Sequence, residues 1–438
     1  MKHIIILGDG MADHPIKKLN GKTLLQATET PYMDLLAKEG KTGRLMTIPE
    51  GFHPGSEVAN TAIMGYDLNK VYEGRGPLEA ASIGYEMAPE DMAIRCNIIT
   101  LHDGKILTHN GGNLSTNDGD VLIKYLNEHL GNDRIKFITG IQYRHLLVIK
   151  YASKHIECAP PHDHPLEEWQ PLLVKSEAGW EDRCEPVIGL DGMPTGQLRM
   201  SGRETAELIN QLILKSQKLL ANHPFNKAKV AAGERPANSI WPWSGGYRPS
   251  MQTLMQMYPH IHSGSVISAV DLIRGIGHYA GLDIIKVPGA TGLADTNYEG
   301  KTQAAIEALR KQDFVYLHLE ATDEAGHDGD LELKTRAIQY LDHRVIEPIY
   351  KEVKTWDTPV AIAVLTDHPT PVEVRTHVKE AVPFLIWYKG ITPDSVQQYD
   401  EVSCVSGSYG LLSLNEFMDK FINIRQVDKN KISKAQAL

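Results

Sequence analysis

The chain has 438 residues, 42% hydrophobic and 23% charged, with a formal net charge of −10. That length allows two domains, or one domain with a large insertion. The acidic balance, without a long run of Lys or Arg, argues against nucleic acid as the main partner. No apolar run approaches the roughly 18 residues of a membrane helix. Cys96, Cys158, Cys184 and Cys404 have neither disulfide-framework nor zinc-knuckle spacing, which suits reduced thiols in a cytosolic protein.

In chain order, the apolar run His3 to Leu7 is too short for a signal peptide and reads as a first core strand. It stops at Gly8-Asp9-Gly10, a tight loop that places a carboxylate at the C-terminal edge of a sheet. Asp9 is either a turn residue or a metal ligand. Thr30 to Lys38 reads as a helix with Thr30 as N-cap and Pro31 at its first position. Ser56 follows a Pro-Gly turn and enters a helix. It is either an N-cap serine or a nucleophile whose phosphoester rests on the positive end of that helix. Arg75, between two glycines, can reach a ligand or face solvent.

From about Tyr85 to Trp243 the texture changes. Strand-like runs (Met92 to Thr100, Ile135 to Thr139, His145 to Lys150) alternate with polar turns, and an amphipathic helix spans Arg203 to Ala221, so a mixed α+β domain is expected. His162, Asp163 and His164 follow two prolines and are either ligands at close spacing or a polar loop. Ala237 to Pro249, with Trp241, Trp243 and Arg248, reads as a linker facing a cleft between domains.

From Gly264 onward an α/β rhythm returns. Val266 to Ile276 is a strand running into a helix, Ile284 to Val287 a short strand, and Lys301 to Lys311 a helix. Phe314 to Leu319 is a buried strand, followed by a loop carrying Asp323 and His327. A long helix is expected over Leu333 to Lys354, bent at Pro348, then the strand Val360 to Leu365 ending in Asp367-His368. His377 precedes the strand Val382 to Tyr388. A polar, basic tail begins at Ile424. Two Gly-Lys-Thr triplets lack the glycine of a phosphate loop, with Ile16 and Asp295 in its place, and Gly275 to Gly281 misses the dinucleotide spacing.

Asp9, Ser56, Asp323, His327, Asp367, His368 and His377 together form a ligand set for two divalent cations, with the serine on one of them. Their order resembles the alkaline phosphatase superfamily, and in particular its archaeal-type, cofactor-independent phosphoglycerate mutases. The stretches that carry the resemblance are ILGDGMAD, HPGSEVANTAIMGYD, YEGRGPLEAAS, SAVDLIRGIGHYAGLDIIKVPGATG, DTNYEGK, EATDEAGHDGD and LTDHPTP, spread over most of the chain.

The resemblance implies an α/β fold: an alkaline-phosphatase-like core with a central, mostly parallel sheet flanked by helices (1–85 and 262–438), and a smaller inserted α+β domain (86–261). It implies Ser56 as the phosphorylated nucleophile. Asp9, Ser56, Asp367 and His368 would hold one ion, and Asp323, His327 and His377 the other, as Mn²⁺, Mg²⁺ or Zn²⁺. The implied reaction is interconversion of 3-phosphoglycerate and 2-phosphoglycerate without 2,3-bisphosphoglycerate, a cytoplasmic step of glycolysis and gluconeogenesis. Arg75, His109, Arg144 and Arg248 are the candidate substrate contacts. A homoserine kinase-type phosphotransferase, a phosphatase or phosphonate hydrolase, and a non-enzymatic metal-binding protein remain alternatives.

Overall fold

The computed structural model describes residues 1–424, so the expected tail, beyond Ile424 itself, lies outside the described residues. The chain divides into two compact units: residues 1–72 with 250 onward, and Glu73–Pro249. Both divisions fall earlier than the expected boundaries after residues 85 and 261. The helix Arg75–Ser82 belongs to the second unit because Gly76 lies directly on the Ala93 backbone; a Cβ there would sit 2.3 Å from the Ala93 carbonyl oxygen. Residues 250–261 belong to the first. There the Tyr66 hydroxyl donates to the Gln252 carbonyl at 2.7 Å, and the Tyr258 hydroxyl donates to Asp419 at 2.8 Å.

The first unit is built on an eight-stranded sheet. Its strands run in the order Asp283–Ile284, Gly264–Ile267, Phe314–Leu319, Lys2–Gly8, Val360–Leu365, Val382–Tyr388, Lys41–Met46, Leu411–Ser413. The first five are mutually parallel, and Val382–Tyr388 is antiparallel to its neighbour. The central three strands are apolar almost throughout because helices cover both faces. Ile4, Ile6, Val315, Leu317, Ile362 and Val364 pack on one face against the helices Pro31–Glu39 and Tyr298–Lys311.

Four local expectations need correction. Thr30 stands at the N-cap of Pro31–Glu39, but its side chain does not cap; the Asp342 carboxylate accepts from Tyr32 N and Met33 N instead. The strand expected over Ile284 to Val287 is only Asp283–Ile284, since after Ile285 the chain leaves the sheet for a turn at Val287–Ala290. Asp323 and His327 lie on a helix, Ala321–Asp328, rather than a loop; Gly329, at φ 68°, ends it. The long helix begins two residues early and runs unbroken over Leu331–Tyr340, a π-helical stretch Leu341–Ile346, and Glu347–Val353. The π-helical stretch comes just before Pro348, which has no N–H to give to the turn behind it.

The second unit has a five-stranded antiparallel sheet with Asp91–His102 at its centre. The helices Thr116–Leu130 and Gly202–Asn222 bury Leu122, Leu126, Ile209, Leu212 and Ile213 against Ile94, Ile98 and Phe137. The Trp-Pro-Trp segment is not a linker. Ser239–Gly246 is the edge strand of this sheet, where Pro242 is tolerated because an edge residue can lack a ladder donor. Among the described residues, no helix is long and apolar enough to cross a membrane. All four cysteines are free.

Candidate metal centre and anion-binding cluster

The opening, Phe314 and Val360 strands are adjacent and parallel, so their C-terminal ends deliver Asp9, the Asp323 helix and Asp367-His368 to one edge. Gly10 shows how tightly the loop after the opening strand is drawn in. Its N–H donates to Asp367 Oδ1 at 3.1 Å, its φ is 60°, and a Cβ on it would lie 2.5 Å from both Asp323 Oδ1 and Thr370 Oγ1. Only glycine fits there.

Ser56 is the first residue of the helix Ser56–Ile63, and the N-cap position belongs to Gly55, so the N-cap reading of Ser56 does not hold. Its Oγ lies 3.2 Å from His368 Nε2. That nitrogen is also 3.6 Å from Asp9 Oδ1 and 3.4 Å from Asp367 Oδ2. Asp9, Asp367 and His368 are all fully buried. Asp9 Oδ1 has no hydrogen-bond partner. Burial raises the Asp9 carboxyl well above the usual range, and Asp367, Asp323 and Glu320 raise it further by repulsion. A buried carboxylate oxygen without a donor, among like charges, calls for a cation.

The second group is Asp323, His327 and His377. Asp323 Oδ2 is 3.2 Å from His327 Nε2, Asp323 Oδ1 is 3.4 Å from His377 Nε2, and the two imidazole nitrogens are 2.9 Å apart. The far nitrogens fix the tautomers. His327 Nδ1 donates to the Arg375 carbonyl at 3.1 Å and His377 Nδ1 to the Pro54 carbonyl at 3.0 Å. Both Nε2 lone pairs therefore converge beside a carboxylate, an arrangement that needs either a proton or a cation between them. The Asp323 hydrogen bond pushes His327 up to about 9. Burial would lower His377, but Asp323 outweighs it and the net shift is upward. The two residue groups thus suit divalent cations by donor type and by their unmet lone pairs.

Sequence reasoning missed the groups behind these ligands. His318 and Tyr316 read as core positions of an apolar strand, yet His318 Nε2 is 2.9 Å from Asp9 Oδ2, and the Tyr316 hydroxyl donates to Asn60 Oδ1 at 2.5 Å. Asn60 Nδ2 in turn donates to Asp367 Oδ2 at 2.9 Å. Burial holds the His318 imidazole down to about 3, so it is neutral. Glu320 was also missed. Its Oε2 has no partner, and burial, with repulsion from Asp323 and Glu324, pushes it up to about 8. The available signal was a polar residue at alternate positions inside an apolar run.

In the second unit, three of the four candidate anion contacts meet. Arg75 lies 5.6 Å from the Trp243 ring centroid and Arg95 lies 4.8 Å from it. His109 packs edge-on to Tyr143, against whose ring the Arg144 guanidinium also rests. Burial, then Arg144 and Arg95, lower the His109 imidazole. Arg95, an unforeseen member, is buried and paired with Glu79 at 3.0 Å; burial pushes it down to about 10, although Glu79 opposes the shift. Arg75 Nε is buried without a partner. The Arg248 side chain, by contrast, makes no hydrogen bond or ion pair among the described residues. His162, Asp163 and His164 form no metal-ligand group there either. His162 packs on Trp243 and His109, and His164 on Glu167.

This is an α/β protein with two carboxylate–imidazole groups at one sheet edge and a serine beside one of them, donor types that divalent cations take. Its family follows from comparison with known proteins. The model of the 2,3-bisphosphoglycerate-independent phosphoglycerate mutase family matches residues 37–226. The Methanosarcina acetivorans 2,3-bisphosphoglycerate-independent phosphoglycerate mutase is 44% identical over 426 residues, 97% of this chain and 100% of that one. The solved structure of a Pyrococcus horikoshii protein superposes with a TM-score of 0.77 at 27% identity, covering 96% of each chain. The cofactor-independent phosphoglycerate mutase of Thermoplasma acidophilum superposes at 0.65 with 25% identity, over 97% of this chain and 100% of that one. The chain belongs to the 2,3-bisphosphoglycerate-independent phosphoglycerate mutase family, and is accordingly an enzyme of the isomerase class.

Proposed function

We propose that the protein interconverts 3-phosphoglycerate and 2-phosphoglycerate through a phosphoserine at Ser56. Asp9, Ser56, Asp367 and His368 would hold one divalent ion, and Asp323, His327 and His377 a second, with Mn²⁺, Mg²⁺ or Zn²⁺ as candidates. The observation that carries this reading is Ser56 Oγ at 3.2 Å from His368 Nε2, in the first turn of a helix and beside the unpartnered Asp9 carboxylate oxygen.

Bound ions would lower the serine hydroxyl's pKa and neutralise charge on the phosphoryl group. Ser56 Oγ gives up its proton and attacks phosphorus as the bond from phosphorus to the glycerate oxygen breaks. That oxygen leaves with the electron pair and takes a proton. The other glycerate hydroxyl then gives up its proton and attacks the phosphoserine, the bond from phosphorus to Ser56 Oγ breaks, and Oγ takes a proton back. The positive end of the Ser56–Ile63 helix favours the anionic phosphoester throughout. Arg75, His109 and Arg144, joined by Arg95, offer the cationic and imidazole donors that a substrate carboxylate or phosphate requires. Arg248, whose side chain makes no hydrogen bond or ion pair among the described residues, is a further candidate for that role. From the substrate alone we assign the reaction to cytoplasmic glycolysis and gluconeogenesis.

The test is turnover by the purified Mn²⁺-loaded protein. With 3-phosphoglycerate alone, formation of 2-phosphoglycerate without added bisphosphoglycerate is expected. Turnover only of homoserine with ATP, or release of inorganic phosphate only, would replace the mutase by a kinase or a phosphatase at the same serine.

A further inference from the structure

Two carboxylates, Asp9 and Asp367, each turn one oxygen toward His368; His318 of one strand holds Asp9 directly, and Tyr316 of the same strand reaches Asp367 through Asn60. On Phe314–Leu319, Tyr316 and His318 are two positions apart and so face the same side of the sheet. The His318 connection can be followed proton by proton. Val270 N–H donates to Ser268 Oγ at 3.0 Å, so the serine's own hydroxyl proton is available to His318 Nδ1, 3.1 Å away. That leaves Nε2 to carry the ring proton and donate it to Asp9 Oδ2 at 2.9 Å. Ser268, His318 and Asp9 are all buried, so no water competes for these bonds. With Oδ2 engaged, the Asp9 oxygen left without a partner is Oδ1, the one that faces His368. The Tyr316 connection differs: it runs through Asn60 to Asp367 Oδ2, the oxygen that itself faces His368, while Asp367 Oδ1 accepts the Gly10 N–H. The Tyr316 hydroxyl donates to Asn60 Oδ1, which fixes the amide so that Nδ2 donates both to Asp367 Oδ2 at 2.9 Å and to the Ser56 carbonyl at 2.8 Å.

We infer that His318 and Tyr316 are positioning residues for one ion: the strand face they share aims the Asp9 and Asp367 carboxylates, while neither residue touches the ion or the substrate. This rests on the two-ion reading above. Hydrogen-bonded groups behind metal ligands fix ligand orientation, and their loss commonly weakens binding by about 10- to 100-fold. A further consequence is selectivity between the two ions. Asp323, His327 and His377 are tied instead to Thr370, Arg375 and Pro54, so damage to the strand face spares them.

The experiment titrates Mn²⁺ into the chelator-stripped, full-length protein and reads stoichiometry and both affinities by calorimetry, alongside the unfolding temperature of the metal-free form. Wild type is expected to bind two ions. His318→Leu and Tyr316→Phe should each weaken the same one of them about 10- to 100-fold and leave the other unchanged. His318→Gln, which can keep an N–H near Nε2, should fall between Leu and wild type. Ser268→Ala leaves the imidazole in place but frees its tautomer, and serves if His318→Leu fails to fold; it should weaken the same ion. Unchanged affinities in variants that are merely less heat-stable would overturn the inference, as would His318→Leu and His318→Gln behaving alike. A third ion in wild type that His318→Leu removes would make His318 a ligand with Asp9 and Glu320, and would also overturn it. Wild type binding no ion would instead remove the two-ion reading itself.

Discussion

Ser56 Oγ and His368 Nε2 lie 3.2 Å apart although 312 residues separate them in the chain. The contact forms because the helix that begins at Ser56 packs against the same sheet edge at which the Val360 strand ends. Ser56→Ala should therefore leave the fold intact and lower mutase turnover by at least about 1,000-fold, since a lost nucleophile is not replaced by its neighbours. An enolase-coupled assay beside circular dichroism measures both; turnover within tenfold of wild type would remove Ser56 from the reaction.

His377 provides a test of the second ion. Its replacement by Ala leaves Asp323 and His327 as a two-residue group, below the coordination a divalent site normally takes. Metal analysis after dialysis should then find one ion per chain in place of two, with turnover down by about 100-fold or more. Stripping wild type with a chelator should abolish turnover, and Mn²⁺ should restore it. Full turnover in the stripped protein would rule out ions in the reaction.

The arginine cluster separates binding from stability. Arg75→Met removes a guanidinium whose Nε has no partner among the described residues, so it should raise KM for phosphoglycerate with little change in unfolding temperature. Arg95→Met strands the mostly buried Glu79 carboxylate and should cost about 3 kcal/mol or more of stability in denaturant unfolding. Equal effects of the two variants on both readouts would show that Arg75 is also structural.

His145 sets an acid limit for the second unit. Burial lowers its folded pKa to about 3 from an ordinary 6.5. Between those values the unfolded chain binds a proton that the folded chain refuses, so stability falls as pH drops through 6.5 and levels off below about 3. The slope from this one group is about 1.4 kcal/mol per pH unit. The opening free energy of the Arg144–Lys150 strand, from hydrogen exchange corrected for the intrinsic rate at each pH, should fall as pH drops across that window, and His145→Gln should flatten the dependence. An unchanged slope in the variant would show that other groups set it.

The parts of the site legible in the sequence share one property: a charged or polar residue follows an apolar strand. Asp9, Asp367 and His368 stand out in this way, and parallel strands necessarily bring such ends to one edge. Asp323 and His327 were recognised as a pair but expected on a loop. Their segment, rich in Ala and acidic residues, is instead a full helix that puts them one turn apart on one face. His318, Tyr316 and Arg95 were passed over because each sits inside an apolar run, where alternation reads as core. Their partners, Asp9, Asn60 and Glu79, lie on other elements, and local sequence holds no trace of such pairings. The Trp241–Trp243 segment reads as a linker because Trp, Gly-Gly and Pro lie in a row, while an edge strand accommodates its proline.

The phosphoserine itself is the most direct measure of the central claim. The Mn²⁺-loaded protein is mixed with 3-phosphoglycerate, quenched in acid within milliseconds to seconds, digested and analysed by mass spectrometry. A phosphate on Ser56, present with substrate and absent in the chelator-stripped protein, is the expected result. Steady turnover to 2-phosphoglycerate with no phosphate on Ser56 at any quench time, or with phosphate on another residue, would contradict it.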